Sequence, residues 1–383
     1  MKKIIVFCTT YETYRSFLIK HIFELNKKYQ VVLVTKFDQN LNFYKNLKIK
    51  AININIKRNI NFFYDFFLIF KIFLILLKEK PDMILSLTPK AGFFGMLIAF
   101  LCRVKIRLHI FTGQVWANKK KGIYRYLLIF FDKLLAYFAT HLLTDGVGQK
   151  KFLLKKKITN KNKIHTIYNG SICGVDTKKF KLSFKRKIII RKRLQIDKNS
   201  IVLLYAGRIN YEKGVLKLVN IFLSIIKKFN FNIFLLIVGN DEARLSPVIK
   251  QNLSNYINKF KILTHRNDIY KYFQAADIFC LPSEREGFGM SAIQASSCSL
   301  PVVCSDIYGL DNTVIHKKTG LKSKLNNDIN MYKNLLSLIK NKKARKNYGM
   351  NGRKYVLRVF DDRIIIPLYN NFFNSILNDK KII

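Results

Sequence analysis

Glu286, Gly287, Phe288 and Gly289 form the most chemically suggestive run in this 383-residue chain. They sit in "EREGFGMSAIQASSCSLPVVCSD", residues 284–306, where an acid opens a Gly-Phe-Gly turn into an apolar, helix-like stretch. Glycines let a backbone approach a ligand, and N–H groups at a helix N-terminus attract anionic oxygens. Glu286 itself would not bind phosphate; a carboxylate there suits sugar hydroxyls, as an acceptor. Gln294, eight positions on, is expected on the same helix face two turns away, within reach of further hydroxyls. An N-cap acid followed by an ordinary surface Gln is the alternative these residues alone leave open. A second run, "YAGRINYEKGV", sets Gly207 and Arg208 at the end of a buried strand, with Lys213 and Gly214 just beyond. A bidentate Arg and a mobile Lys on one short turn suit a pyrophosphate. A solvated basic turn competes with that reading, since the chain holds 69 Lys+Arg.

The elements that must position these residues follow a βα rhythm. In the first half, "KKIIVFC", "YQVVLVT", "NLKIKAININI", "PDMILSLTP", "VKIRLHIFTG", "THLLTDG" and "KIHTIYNG" read as strands. Helical runs cover residues 15–28, 62–77, 91–102 and 124–139. The basic segment 176–198 reads as a linker, after which "SIVLLYAG", "FNIFLLIVG", "FKILTH", "ADIFCLP" and "LPVVCSD" restart the pattern. Short strands alternating with longer helices predict parallel sheets covered on both faces, here two doubly wound α/β halves. The expected domains are residues 1–180 and 181–362, with a last helix, about 363–383, packing back on the first. Ligands in such sheets bind beyond the carboxyl ends of the strands. Chemistry is therefore expected in the turns 9–13, 88–92, 112–118, 207–214, 239–242, 265–268 and 283–290.

The length allows two domains, and 49% hydrophobic residues argue for a folded chain. The net charge of +46 favours anionic partners, nucleic acid or an anionic membrane surface; an A+T-biased coding sequence accounts for part of it. The basic residues are spread throughout, and no nucleic-acid module is readable. Six cysteines without a CxxC pair read as reduced, mostly buried thiols. The opening apolar run is too short for a secretory signal. Phe62–Leu77 is broken by Asp65 and Lys71, and Ala91–Cys102 is shorter still, so neither spans a membrane. Docking of the Phe-rich helix and of the basic "KKKGIYRYLLIFFDKLL" on an anionic cytoplasmic leaflet is expected; core-facing helices are the alternative.

Taken together, "AGRINYEKG", "LLIVGNDEA", "ADIFCLPSEREGFGMSAIQA", "PVVCSDIYGL" and "TGL" resemble, in order and spacing, the retaining glycosyltransferases of family four. "SLTPKAGFFGM", "HIFTGQVWA" and "NGSICGVDTKKF" extend the resemblance to bacterial surface-polysaccharide transferases. It implies the GT-B architecture, two Rossmann-like domains facing across a cleft, with the acceptor on the N-terminal side and a nucleotide-sugar on the C-terminal side. It further implies neither a bound metal nor a cofactor. Arg208, Lys213 and Glu286 match catalytic positions: the cations neutralise the donor pyrophosphate and the acid addresses the donor sugar. Gly207, Gly287, Phe288, Gly289, Met290 and Gln294 match the donor cradle, and Arg266 and Asn267 lie where the base would be chosen. Gln294 departs from the family, which has a second acid there to hold the ribose. Acceptor-side candidates are Thr10, Lys90, Thr112, Gly113, Gln114 and Trp116. Thr112 replaces the His of a common His-Gly pair, His109 reads as a core residue, and Lys90 is either a phosphate ligand or a solvated lysine.

The implied reaction moves a glycosyl group from a nucleotide diphosphate sugar, UDP-linked by family frequency, with retention at the anomeric carbon. The acceptor would be lipid-linked or a growing oligosaccharide, and the enzyme peripheral on the inner face of the cytoplasmic membrane. A nucleotide-sugar epimerase, a donor-binding inactive homologue and a nucleic-acid-binding protein are the competing functions.

Overall fold

The computed structural model describes residues 1–37, 49–57 and 61–378. Chain contacts divide it into two compact units, Met1–Gly174 with Arg363–Ile383, and Val175–Asp362.

Among the described residues the first unit is built on seven strands: β1 (Lys3–Thr10), β2 (Gln30–Lys36), β3 (Lys50–Asn53), β4 (Met83–Leu87), β5 (Ile106–Phe111), β6 (His141–Thr144) and β7 (Ile164–His165). They pair in the order β3-β2-β1-β4-β5-β6-β7, every pair parallel. Continuous apolar runs such as Ile4–Phe7 are buried throughout, because helices cover both faces of the sheet. Of the third predicted strand, residues 46–48 lie outside the described residues. The helix after β1 begins earlier than expected, at Tyr11–Thr13, and widens through a π turn at Tyr14–Leu18 before α1 (Ile19–Asn26). One face carries α2 (Phe62–Glu79), α3 (Pro89–Leu101), α4 (Ile123–Phe138) and α5 (Val147–Lys155). The other carries α1 and the chain's last helix, which buries Ile365, Tyr369, Phe373 and Ile376.

The second unit has six strands: β8 (Ile201–Ala206), β9 (Ile233–Val238), β10 (Phe260–Leu263), β11 (Ile278–Leu281), β12 (Val302–Asp306) and β13 (Gly320–Lys324). Their order is β10-β9-β8-β11-β12-β13, again all parallel. The expected linker 176–198 instead contains a helix, α6 (Phe184–Arg193), capped where the Ser183 side chain accepts from the Arg186 amide. Its buried Ile190, with Leu194 beyond it, joins the core, and the Arg191 guanidinium bonds Asp277 at 2.6 Å. The helices that follow are α7 (Val215–Lys228), α8 (Ser246–Asn252), α9 (Tyr270–Ala275), α10 (Met290–Ser297), α11 (Asp328–Lys340), α12 (Lys342–Val359) and α13 (Asp362–Leu377), the last crossing into the first unit.

Both units wind outward from a central strand, first to one side and then to the other. The direction reverses between β1 and β4 in the first unit and between β8 and β11 in the second. At such a reversal the two connections leave in opposite directions and open a crevice at the strands' carboxyl ends.

Candidate functional site

At the reversal point of the second unit, the turns that follow β8 and β11 are stitched together. The Glu284 amide donates to the Glu212 carbonyl at 2.9 Å, and the Arg285 guanidinium meets the Glu212 carboxylate at 2.6 Å. Gly214 makes this closeness possible. It holds φ +68 as the left-handed end of the Tyr211–Lys213 turn, and a Cβ on it would overlap the Pro282 carbonyl. Asn210 starts the same turn, its side chain accepting from the Lys213 amide at 3.1 Å.

The expected cations are both present at this junction, each held by an acid. Lys213 Nζ lies 2.7 Å from Glu286 Oε1, and both side chains are largely buried, at 15% and 12% exposure. Arg208 Nη1 donates to Glu242 Oε2 at 2.9 Å, and Asn210 Nδ2 reaches the same oxygen at 3.2 Å. Glu242 comes from the turn after β9. Beneath them the Tyr205 hydroxyl donates to the Arg208 carbonyl at 2.6 Å. Burial first, then the neighbouring Glu286 charge, pushes that phenol far above its ordinary range, so it remains a donor that fixes the Arg208 backbone. The Glu286 carbonyl packs directly on Gly309, where a Cβ would collide with it. Two cations, two acids and the mouth of a helix thus share one carboxyl-end crevice. That arrangement can exchange its internal carboxylates for a bound diphosphate.

The Gly-Phe-Gly turn differs in detail from expectation. The helix starts at Met290, so Glu286 lies in the preceding turn and shares no helix face with Gln294. Gly289 takes φ +72 as the N-cap, with no side-chain cap on the helix. The Phe288 ring is 2% exposed and packs edge-on against Phe360 at 5.3 Å, so this residue can present only its backbone to a ligand. Met290 and Gln294 are half-buried on the first and second turns of α10. Arg266 and Asn267 are exposed after β10, the outer strand, with β9 between it and β8.

In the first unit the reversal point brings Thr9 and Thr88 together, their hydroxyls 2.6 Å apart. Thr88 holds φ +71, a backbone state that costs a β-branched residue energy. Thr10 bonds Thr13 at 3.2 Å, at the start of the helix after β1. Three acceptor-side expectations need correction or refinement. Lys90 is not a solvated lysine: its side chain is 14% exposed and its ammonium sits 2.7 Å from buried Asp65 of α2. Trp116 lines no pocket; it is 1% exposed, stacks on Phe152 and donates Nε1–H to Asp132 at 2.7 Å. Gln114 is buried as well, accepting from Gln149, which in turn accepts from the Asp145 amide. Thr112 is half-buried and Gly113 takes φ +104 where β5 ends. His109 is a core residue, bonded to Ser86 at 2.8 Å, and burial lowers its pKa to about 3.

The sequence marks the turns 9–13, 88–92 and 239–242 but gives Thr9, Thr88 and Glu242 no part in them, and it passes over Tyr205. The available signal was positional: Thr9, Thr88 and Tyr205 stand at or next to the ends of strands that flank a reversal point, and Glu242 lies in the turn after the next strand.

The chain has counterparts among known proteins. Residues 186–355 match the family described as glycosyl transferases group 1. The Staphylococcus aureus capsular polysaccharide biosynthesis glycosyltransferase CapM is 28% identical over 329 residues, covering 86% of each chain. An Escherichia coli UDP-Gal:alpha-D-GlcNAc-diphosphoundecaprenol alpha-1,3-galactosyltransferase is 28% identical, across 94% of this chain and 88% of its own. Among solved structures, Anabaena HepE in complex with UDP-glucose superposes with a TM-score of 0.81 at 16% identity, over 98% of this chain and 100% of that one. The sucrose-phosphate synthase of Thermosynechococcus elongatus gives 0.80 at 16% identity, over 99% of this chain and 100% of its own. These likenesses establish the fold as the GT-B architecture of two Rossmann-like α/β domains.

Proposed function

We propose that this chain, a group 1 glycosyltransferase by its residues 186–355 and its relatives, moves a sugar from a UDP-sugar to a lipid-linked or growing oligosaccharide in surface-polysaccharide synthesis. The observation that carries this is the junction of Arg208, Lys213 and the turn 286–289 at the reversal point of the second sheet. The leaving group is a nucleoside diphosphate, whose growing negative charge must be stabilised where it forms. Arg208, Lys213 and the backbone at Gly287–Gly289 supply that stabilisation, while Glu286 accepts from donor-sugar hydroxyls once Lys213 turns to phosphate. Gln294 addresses the ribose with one accepted and one donated hydrogen bond.

Same-face attack with retention follows on this reading, the leaving phosphate taking the acceptor's proton. Thr10, Thr112 and Gly113 remain the acceptor-side candidates. The enzyme works as a peripheral protein on the cytoplasmic leaflet; among the described residues no helix is long and apolar enough to cross a membrane. An epimerase is not favoured by the relatives, which are named as transferases.

A thermal-shift panel of UDP-, GDP- and ADP-sugars tests the donor site. A UDP-sugar is expected to stabilise the wild type and to lose that effect in Arg208→Ala. If none of the three stabilises the wild type, the assignment fails.

A further inference from the structure

Helices α2 and α4 are apolar on the side turned away from the core. On α2, Leu68, Ile72 and Leu76 are buried, which is all that packing on the sheet requires. A second stripe, Phe63, Phe66, Phe70, Leu74 and Leu77, faces solvent at 85%, 70%, 57%, 50% and 47% exposure. On α4, Ile123, Tyr126, Phe130 and Tyr137 are 77%, 58%, 54% and 69% exposed. Both helices pack on α3, where Phe93 meets Phe131 at 5.1 Å, so the two stripes belong to one layer of one unit.

The charges on these helices are sorted. Each of their acids is taken up from inside: Asp65 by Lys90, Glu79 by Lys3 and Lys50, and Asp132 by the Trp116 indole. The lysines stay outside, with Lys71, Lys78 and Lys133 exposed among the apolar side chains, while Arg125 of α4 is half-buried. Lys120 and Lys121 are exposed just ahead of α4, and neighbouring Lys119 lies over the Tyr124 ring at 5.1 Å. A protein partner would meet this face with apolar surface alone or with ordered carboxylates. A sheet of anionic headgroups over hydrocarbon matches both components at once.

We infer that the outward faces of α2 and α4 form one docking surface for an anionic lipid bilayer, entered deepest by the N-terminal end of α2. Both helices lead into strands of a parallel sheet, so both begin at its carboxyl edge, where the Thr9, Thr88 and Thr112 turns lie. Exposure along the outward stripe of α2 falls steadily away from that edge, from 85% at Phe63 to 47% at Leu77. The expected tilt follows α2, since Tyr137 at the far end of α4 is still 69% exposed. The inference rests on the lipid-linked acceptor proposed above for its purpose, and on the side chains alone for its evidence.

The test uses the full chain and vesicles of phosphatidylcholine, with or without an equal part of phosphatidylglycerol. Flotation is expected only with phosphatidylglycerol, weakening as salt rises. Phe66→Ser with Tyr126→Ser should weaken binding at least tenfold, since each removes an aromatic ring from the surface that the bilayer buries. The double variant should keep the wild-type melting temperature and UDP-sugar shift, which separates lost docking from lost folding or donor binding. Trp116, the chain's one tryptophan, is buried, so indoles introduced by Phe63→Trp or Leu77→Trp report depth against brominated acyl chains. Quenching should be stronger at position 63 than at 77, and the reverse order would overturn the tilt. Binding to neither vesicle, or self-association that the Phe66→Ser, Tyr126→Ser variant abolishes, would overturn the docking surface. A donor panel that fails while flotation succeeds would refute sugar transfer and leave this surface standing.

Discussion

The Lys213 ammonium sits 2.7 Å from the Glu286 carboxylate, across the gap between two turns that begin on neighbouring strands. Arg208 and Glu242 repeat the arrangement at 2.9 Å. Each cation proposed to hold a diphosphate is thus already neutralised by an acid of the same crevice. A bound diphosphate would have to compete with those acids.

Glu242→Gln removes one competitor. The Arg208–Glu242 pair is partly exposed, and such pairs are worth about 0.2–1 kcal/mol. UDP is expected to bind about two- to fivefold more tightly to the variant, as read by calorimetric titration. Weaker binding would mean that Glu242 positions Arg208 instead of competing for it.

Gln294→Glu should preserve or tighten UDP-sugar binding. A carboxylate accepts from both ribose hydroxyls with charge-assisted strength, an advantage of about 1–2 kcal/mol over the amide. Complete loss of binding would remove Gln294 from the ribose site. Wild-type binding without any transfer to acceptor would instead identify a homologue that has kept only recognition.

Lys90→Met addresses the acceptor side. The Lys90–Asp65 pair is mostly buried, with 14% and 9% of the two side chains exposed. Removing the cation strands Asp65, so the variant should lose about 3 kcal/mol in denaturant unfolding. Unchanged stability with weakened acceptor binding would restore Lys90 as a phosphate ligand.

Asp132→Asn should change the pH dependence of stability. Burial raises the Asp132 carboxyl to about 6, against the Trp116 hydrogen bond, which lowers it. A folded-state pKa above the unfolded value means that the folded chain holds the proton more tightly. Its contribution is complete below about pH 4 and is lost as pH rises through about 6. Relative to wild type, the Asn variant should gain on the order of 3 kcal/mol between those limits, measured by melting at successive pH values. A constant difference across the range would refute it.

The sequence showed more of the fold than of the side chains' occupations. Runs such as Ile201–Ala206 and Ile233–Val238 are legible because a strand buried on both faces is apolar at every position, and a glycine turn marks its end. The helix at Phe184–Arg193 was hidden because six of its ten residues are Lys or Arg. One of those, Arg191, turns inward, its guanidinium satisfied by Asp277 and by the Ala275 and Ser200 carbonyls. Local spacing could not reveal that either. Arg208, Lys213 and Glu286 were legible because strand ends and glycines fix where a short turn goes. Trp116, Gln114 and Lys90 were not, because their partners Asp132, Gln149 and Asp65 lie 16, 35 and 25 positions away.

The second unit enters and leaves at one place: the Val175 amide bonds the Phe360 carbonyl at 2.7 Å, and the Asp362 amide bonds the Val175 carbonyl at 3.0 Å. A fragment cut from 175 to 362 would therefore be an excision with its ends already tied. A premature stop just after Asp362 would do its damage elsewhere, stripping His21 and Tyr29 near the amino terminus of their covering rings and amide.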